Sequence, residues 1–248
     1  MTRRHWSGLA LLALGVLAAS GALAQTLPMV TASPGRGGTV YSVPVQTLLA
    51  LTALTFLPAA LMLMTSFTRI LIVFSLLRQA LGLQSMPPNT VLIGLSLFLT
   101  ALVMNPVLDT MYREAYLPLT NGSIQFEAAV MKAVEPLRQF MLQQTRQEDL
   151  NTFAGLYNKP IATRAEVPMS VLVPAFAISE IKTGFLAGFM IYLPFIAIDF
   201  AVASILTSLG MVMVSPMMFS LPVKLVIFAL ADGWSLLAAS LVSSYKLS

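Results

Sequence analysis

The chain has 248 residues, of which 57% are hydrophobic and only 10% charged. Soluble domains carry about 25% charged residues, so this composition points to a membrane protein. With no cysteine, one histidine (His5) and a formal charge of +4, it excludes disulfides and thiolate metal sites, and gives no reason to expect nucleic acid.

Residues 1–24 read as a secretory signal peptide cleaved after Ala24. Arg3 and Arg4 form the positive region, Leu9 to Ala19 the apolar region, and Ala22-Leu23-Ala24 the small-x-small cleavage site. Its removal leaves 12 basic and 10 acidic residues and no histidine. The commonest general base and the commonest zinc ligands are then missing, so no enzyme, metal or cofactor is expected. Residues 25–44 are rich in Pro, Gly, Ser and Thr and read as a flexible exported tail.

Residues 45–106 read as a first hydrophobic hairpin. Thr47 to Met64 is an apolar run long enough to span a bilayer, with Pro58 expected to bend it. Arg69 and Arg78 follow, read as sharing one helix face, and a turn is expected around Gly82, Pro87 and Pro88. Two arginines and no acid between Met64 and Asn89 assign this stretch to the cytoplasm by the positive-inside rule. Thr90 to Met104 is apolar, short for a span, and expected to close at Asn105-Pro106.

Residues 107–167 form the one polar segment, with six basic and seven acidic residues up to Glu166. Phe126, Val130, Val134, Leu137 and Met141 recur at helical spacing. Pro136 should kink that helix, and Thr145-x-x-Glu148 suggests a capping box for a second short helix. By alternation the segment is periplasmic, its charges a solvated face.

Residues 168–248 read as a second hydrophobic hairpin, with both mature ends outside. Pro168 to Ile178 is too short to span. Glu180 and Lys182 follow, and are either a charged turn or polar contacts within a pore or subunit interface. Two residues apart, they do not meet on a helix, so their partners lie elsewhere. Gly184 to Leu209 has Asp199 as its only charge, and an acid at such depth faces protein or water. Gly210 to Pro222 holds Met211, Met213, Met217 and Met218 among Gly210, Pro216 and Pro222, which interrupt a helix. Two readings stand: a broken hairpin with a soft apolar constriction, or methionines filling a core between helices. The last helix, Val223 to Val242, is interrupted by Lys224 and by Asp232-Gly233-Trp234. Short, proline-broken and charge-bearing runs expose polar groups that neighbouring subunits must cover, which argues for an obligate oligomer.

Four blocks carry a resemblance: Met64 to Gln84 (MTSFTRILIVFSLLRQALGLQ), Pro87 to Leu95 (PPNTVLIGL), Val173 to Thr183 (VPAFAISEIKT), and Leu221 to Leu225 (LPVKL) with Ala231 to Trp234 (ADGW). Together they closely resemble the FliP family of flagellar type III export-gate subunits, from about Pro44 onward. The resemblance implies an all-α fold of polytopic, membrane-type helical hairpins with broken helices, assembling into a helical oligomeric export gate. It implies pentamers with FliQ and FliR, with FlhA and FlhB nearby, in the bacterial inner membrane at the flagellar basal body. Unfolded flagellar subunits pass through the centre. The family's methionine gasket maps onto Met211, Val212 and Met213. Many relatives carry methionine at all three positions, so Val212 is a departure that keeps the site apolar. No gasket role passes to Met217 or Met218. Glu180, Lys182 and Asp199 are the expected subunit-contact or gating residues. The alternatives are the related virulence injectisome subunit or a small-ion or solute transporter built on broken helices.

Overall fold

A computed structural model describes residues 31–35, 38–42, 45–157, 163–211 and 213–245. Residues 1–24, read as a signal peptide, part of the stretch read as a tail, and Val212 lie outside the described residues. Two compact units divide the chain, Met1–Pro58 and Ala59–Ser248. In the first, within the stretch read as a tail, β1 (Thr31–Gly35) and β2 (Gly38–Ser42) pair antiparallel, Thr31 opposite Ser42 and Gly35 opposite Gly38. From Val45 onward every described regular element is helical. Helix α1 is Val45–Leu63, with Pro58 inside it.

The second unit is organised around α2 (Phe67–Ala80), part of the stretch that the positive-inside rule assigns to the cytoplasm. Ile70, Val73, Phe74 and Leu77 recur at helical spacing and are fully buried. Arg69 and Arg78 do not share a face. Nine residues at about 100° each leave them half a turn apart. Arg69 is buried, whereas Arg78 reaches the following turn, donating to the Pro87 carbonyl at 3.2 Å and to Asn89 Oδ1 at 2.7 Å.

Helix α3 (Asn89–Met111) runs through Pro106 instead of closing there. A proline removes only its own N–H from the ladder, and the chain continues through a π-helical turn (Tyr112–Tyr116) into α4 (Leu117–Thr120). The polar segment follows as α5 (Phe126–Gln144), with Pro136 inside it, and α6 (Gln147–Gly155). The expected capping box is absent. Thr145 ends α5, and its hydroxyl donates back to the Met141 carbonyl at 2.6 Å.

Pro168 to Leu209 is not two runs with a turn. Met169–Ser208 is one helix of 40 residues, α7, with Pro174, Glu180, Lys182 and Pro194 inside it. Helices α8 (Pro216–Leu230) and α9 (Gly233–Ser243) meet at a 63° bend, as the Asp232-Gly233 interruption suggests. Pro222 lies within α8 and breaks nothing.

The most extensive helix contact is α2 with α7. It is made close by Gly184-x-x-x-Gly188, small residues that let helix backbones approach. A Cβ at Gly184 would sit 3.2 Å from Ile72 Cβ and 3.4 Å from Arg69 Cα, and one at Gly188 would sit 2.2 Å from Leu76 Cδ1. One core cluster joins α3, α5, α6 and α7 through Met104, Phe140, Met141, Leu150 and Phe176. Two smaller clusters surround α2.

This contact generates a stability prediction. Gly188→Val forces a branched side chain into Leu76 and should destabilise by about 1–3 kcal/mol, as overpacked interiors do. At Gly94, also helical, an added Cβ would meet nothing within 4 Å, so Gly94→Ala should be neutral or slightly stabilising. Thermal melts of the two purified variants should separate accordingly.

Candidate functional site: a methionine-tipped hairpin on a polar belt

Helix α7 ends in a Schellman motif. Gly210, at φ +79°, donates to the Thr207 carbonyl at 3.0 Å, and Met211 donates to Leu206 at 2.9 Å. Glycine suits this left-handed position because it lacks the Cβ that would be strained there. Pro216 then opens α8 at its first position, where its missing N–H is harmless. A sharp turn follows, and α7 and α8 pack against each other as a hairpin. Lys224 on α8 reaches Asp199 on α7, residues placed symmetrically about the tip.

Met211 and Met213 lie at that tip. Met213 is fully exposed, and Met211, Met217 and Met218 are exposed too. Within the protomer, these four methionines do not fill a core. Met217 and Met218 instead line an open groove of about 360 Å³ with Leu221 and the turn from Gly82 to Met86. Val212 lies outside the described residues, so its placement beside the other two stays an expectation.

Below the hairpin, Ser179, Glu180 and Lys182 form a polar belt on α7. Each takes a partner from another element. The Ser179 hydroxyl accepts the backbone N–H of Arg146 at 2.9 Å, just before α6. Lys182 pairs with Asp149 on α6, whose side chain is buried. Glu180, with no exposed surface, receives Arg69 from α2 and the Tyr245 hydroxyl at 2.9 Å. Arg69 also stacks over the Tyr245 ring, 4.1 Å from its centroid, and reaches Ser244 Oγ at 3.4 Å. Burial first, and then the Glu180 charge, push the Tyr245 hydroxyl well above the usual phenol range, so it stays protonated and donates.

Glu180 and Lys182 are therefore helix residues with separate partners, not a charged turn. The polar segment is not only a solvated face, because Asp149 is drawn into the interior. Asp199 pairs with Lys224 at 2.7 Å, and Lys224, itself buried, also donates to the Ala80 carbonyl at 3.0 Å. The hairpin is thereby tied to the end of α2. Arg69, Asp149 and Tyr245 are parts of the belt that sequence reasoning missed. Arg69 reads as one of two arginines on a cytoplasmic helix face, Asp149 as part of a solvated face, and Tyr245 lies beyond the last predicted helix, which ends at Val242. Among the described residues, no group of three or more His, Asp or Glu is placed to hold a metal ion.

The family model described as the FliP family matches residues 50–241. The chain is 52% identical over 236 residues to the flagellar biosynthetic protein FliP of Pectobacterium carotovorum subsp. carotovorum, covering 94% of this chain and 92% of that protein. It is 50% identical over 210 residues to the FliP of Buchnera aphidicola subsp. Baizongia pistaciae (strain Bp), covering 84% of this chain and 58% of that longer protein. It is 49% identical over 203 residues to the FliP of Bacillus subtilis (strain 168), covering 81% and 91%.

The buried pair generates a graded prediction. Arg69→Ala or Glu180→Ala strands a charge away from water and should cost about 3–5 kcal/mol. Tyr245→Phe removes one hydrogen bond to a charged group and should cost about 1.5–3 kcal/mol. Yield and melting temperature of the three purified variants should rank in that order.

Proposed function

Because this chain belongs to the FliP family of flagellar biosynthetic proteins, we propose that it is a core subunit of the flagellar type III protein export gate. In this reading it assembles as a pentamer with FliQ and FliR, beside FlhA and FlhB, in the inner membrane at the flagellar basal body. Unfolded flagellar subunits cross through the centre of the assembly.

The observation that carries the reading is the hairpin tip, which presents Met211 and Met213 to solvent on a backbone fixed from both sides. A gate for unfolded chains passes side chains of any size and holds back ions when idle. Unbranched thioethers repack around a passing chain, and an apolar constriction dewets when empty. Copies of this tip around one axis would supply such a seal.

The apolar surface supports assembly. At 1.5 Å per residue α7 is roughly 60 Å long, about twice the 30 Å hydrocarbon core of a bilayer. Phe185, Leu186, Phe189 and Met190 on α7, and Phe98 and Leu102 on α3, are exposed. Lipid alone does not cover that length, and neighbouring subunits would. Lys182 and Asp199 keep 54% and 38% of their side chains exposed and are the polar residues we assign to subunit contacts. Glu180, with nothing left to offer a neighbour, holds the protomer together.

Replacing Met211 and Met213 together by alanine should widen the constriction and let the resting gate leak ions, while secretion persists. Growth and ion-leak assays, with recovery of the complex checked in parallel, read this. A double variant that assembles and stays ion-tight would place the seal elsewhere.

A further inference from the structure

A thioether is an apolar side chain that a mild two-electron oxidant turns polar. Methionine sulfoxide carries an S–O dipole that accepts hydrogen bonds from water, and the change is reversible through two reductases, one for each sulfoxide epimer. Where a seal works by excluding water, that single atom opposes it.

The hairpin tip combines the features that make such a reaction selective. The chain contains no cysteine, so no thiol of its own competes for the oxidant. Met213 is 100% exposed, ahead of Met131 (74%), Met86 (63%) and Met190 (61%) elsewhere on the protomer, whereas Met104 and Met141 in the core are 4% and 0% exposed. The Schellman turn at Gly210 and the helix start at Pro216 present the tip side chains outward rather than folding them under. Met211, Met217 and Met218 lie within a few residues and are also exposed, so successive oxidations fall on one place.

We propose that the hairpin-tip methionines, Met213 foremost, are a reversible oxidation site through which oxidants of the hypochlorous acid class loosen the idle gate. The inference rests on the reading of this tip as the seal. The Met213 sulfur gives an electron pair to the chlorine of hypochlorous acid, forming an S–Cl bond as the O–Cl bond breaks and hydroxide leaves to be protonated to water. Water then forms the S–O bond as chloride leaves and the protons pass to solvent. The net change converts thioether and hypochlorous acid to sulfoxide, chloride and a proton, with sulfur oxidised and chlorine reduced by two electrons. The polar oxygen favours water in the constriction, and ions follow.

The test uses the assembled complex in membrane vesicles, treated with limiting hypochlorous acid and mapped by peptide mass spectrometry. Met213 should convert at least about tenfold faster than buried Met141, since oxidation follows exposure. Ion leak should rise with the Met213 sulfoxide fraction and fall again after both methionine sulfoxide reductases are added. The Met211→Leu/Met213→Leu variant should show no oxidant-dependent rise above its own untreated leak. Equal oxidation rates, Met213 oxidation without added leak, or an oxidant-dependent leak in the leucine variant would each overturn the proposal. The Met211→Ala/Met213→Ala variant, run untreated alongside, separates the two failures. If it leaks while Met213 resists oxidation, only the oxidation site is lost, and if it is tight, the seal reading falls.

Discussion

A carboxylate wholly withdrawn from water is costly unless a cation and hydrogen bonds meet it, and in this fold two segments far apart in the chain converge on Glu180. Arg69 comes from the start of α2, and Tyr245 from just beyond α9, with its ring covering the guanidinium. The pair fixes the axial position of α2 along α7. Gly184 and Gly188 then let the two helices close to backbone distance on the same face. Ser179 and Lys182, its near neighbours, recruit the polar segment through Arg146 and Asp149. One short stretch of α7 thus joins three parts of the chain that are distant in sequence.

The second pair, Asp199 with Lys224, carries the same logic into the hairpin. Lys224 reaches both Asp199 and the carbonyl of Ala80, so α8 is held against α7 and against the end of α2 together. The tip beyond is left free of the core. Rigid arms with exposed, flexible side chains at the tip suit a contact that yields without the scaffold yielding. The same division runs through the surface, where the main ion pairs close inside the protomer and apolar helix faces remain open.

Much of this is legible in the sequence. The apolar runs, the break at Gly210 and Pro216, the interruption at Asp232-Gly233 and the four family blocks all read directly. Three readings fail for physical reasons. Pro106 and Pro222 are expected to interrupt helices, but α3 and α8 run through them, since the rest of each hydrogen-bond ladder holds around the one missing donor. Arg69 and Arg78 are read as sharing a helix face, but nine residues leave them half a turn apart, and the acid that pairs with Arg69 lies more than a hundred positions away, where local counting does not see it. Glu180 and Lys182 look like a turn for the same reason, since charges within an apolar helix become tolerable only once their partners are known. Gly184-x-x-x-Gly188 is a close-packing pattern, but it is hidden inside an otherwise uniform apolar run.

The central claim is that the Met213 tips of different subunits converge on one axis in the assembled protein. Because the chain has no cysteine, Met213→Cys introduces a single thiol per subunit. Oxidising that variant in native membranes and running it on a non-reducing gel measures convergence directly. The account predicts a disulfide-linked dimer of this chain that disappears on reduction. A variant that assembles, reacts fully with maleimide and yet forms no dimer would contradict it.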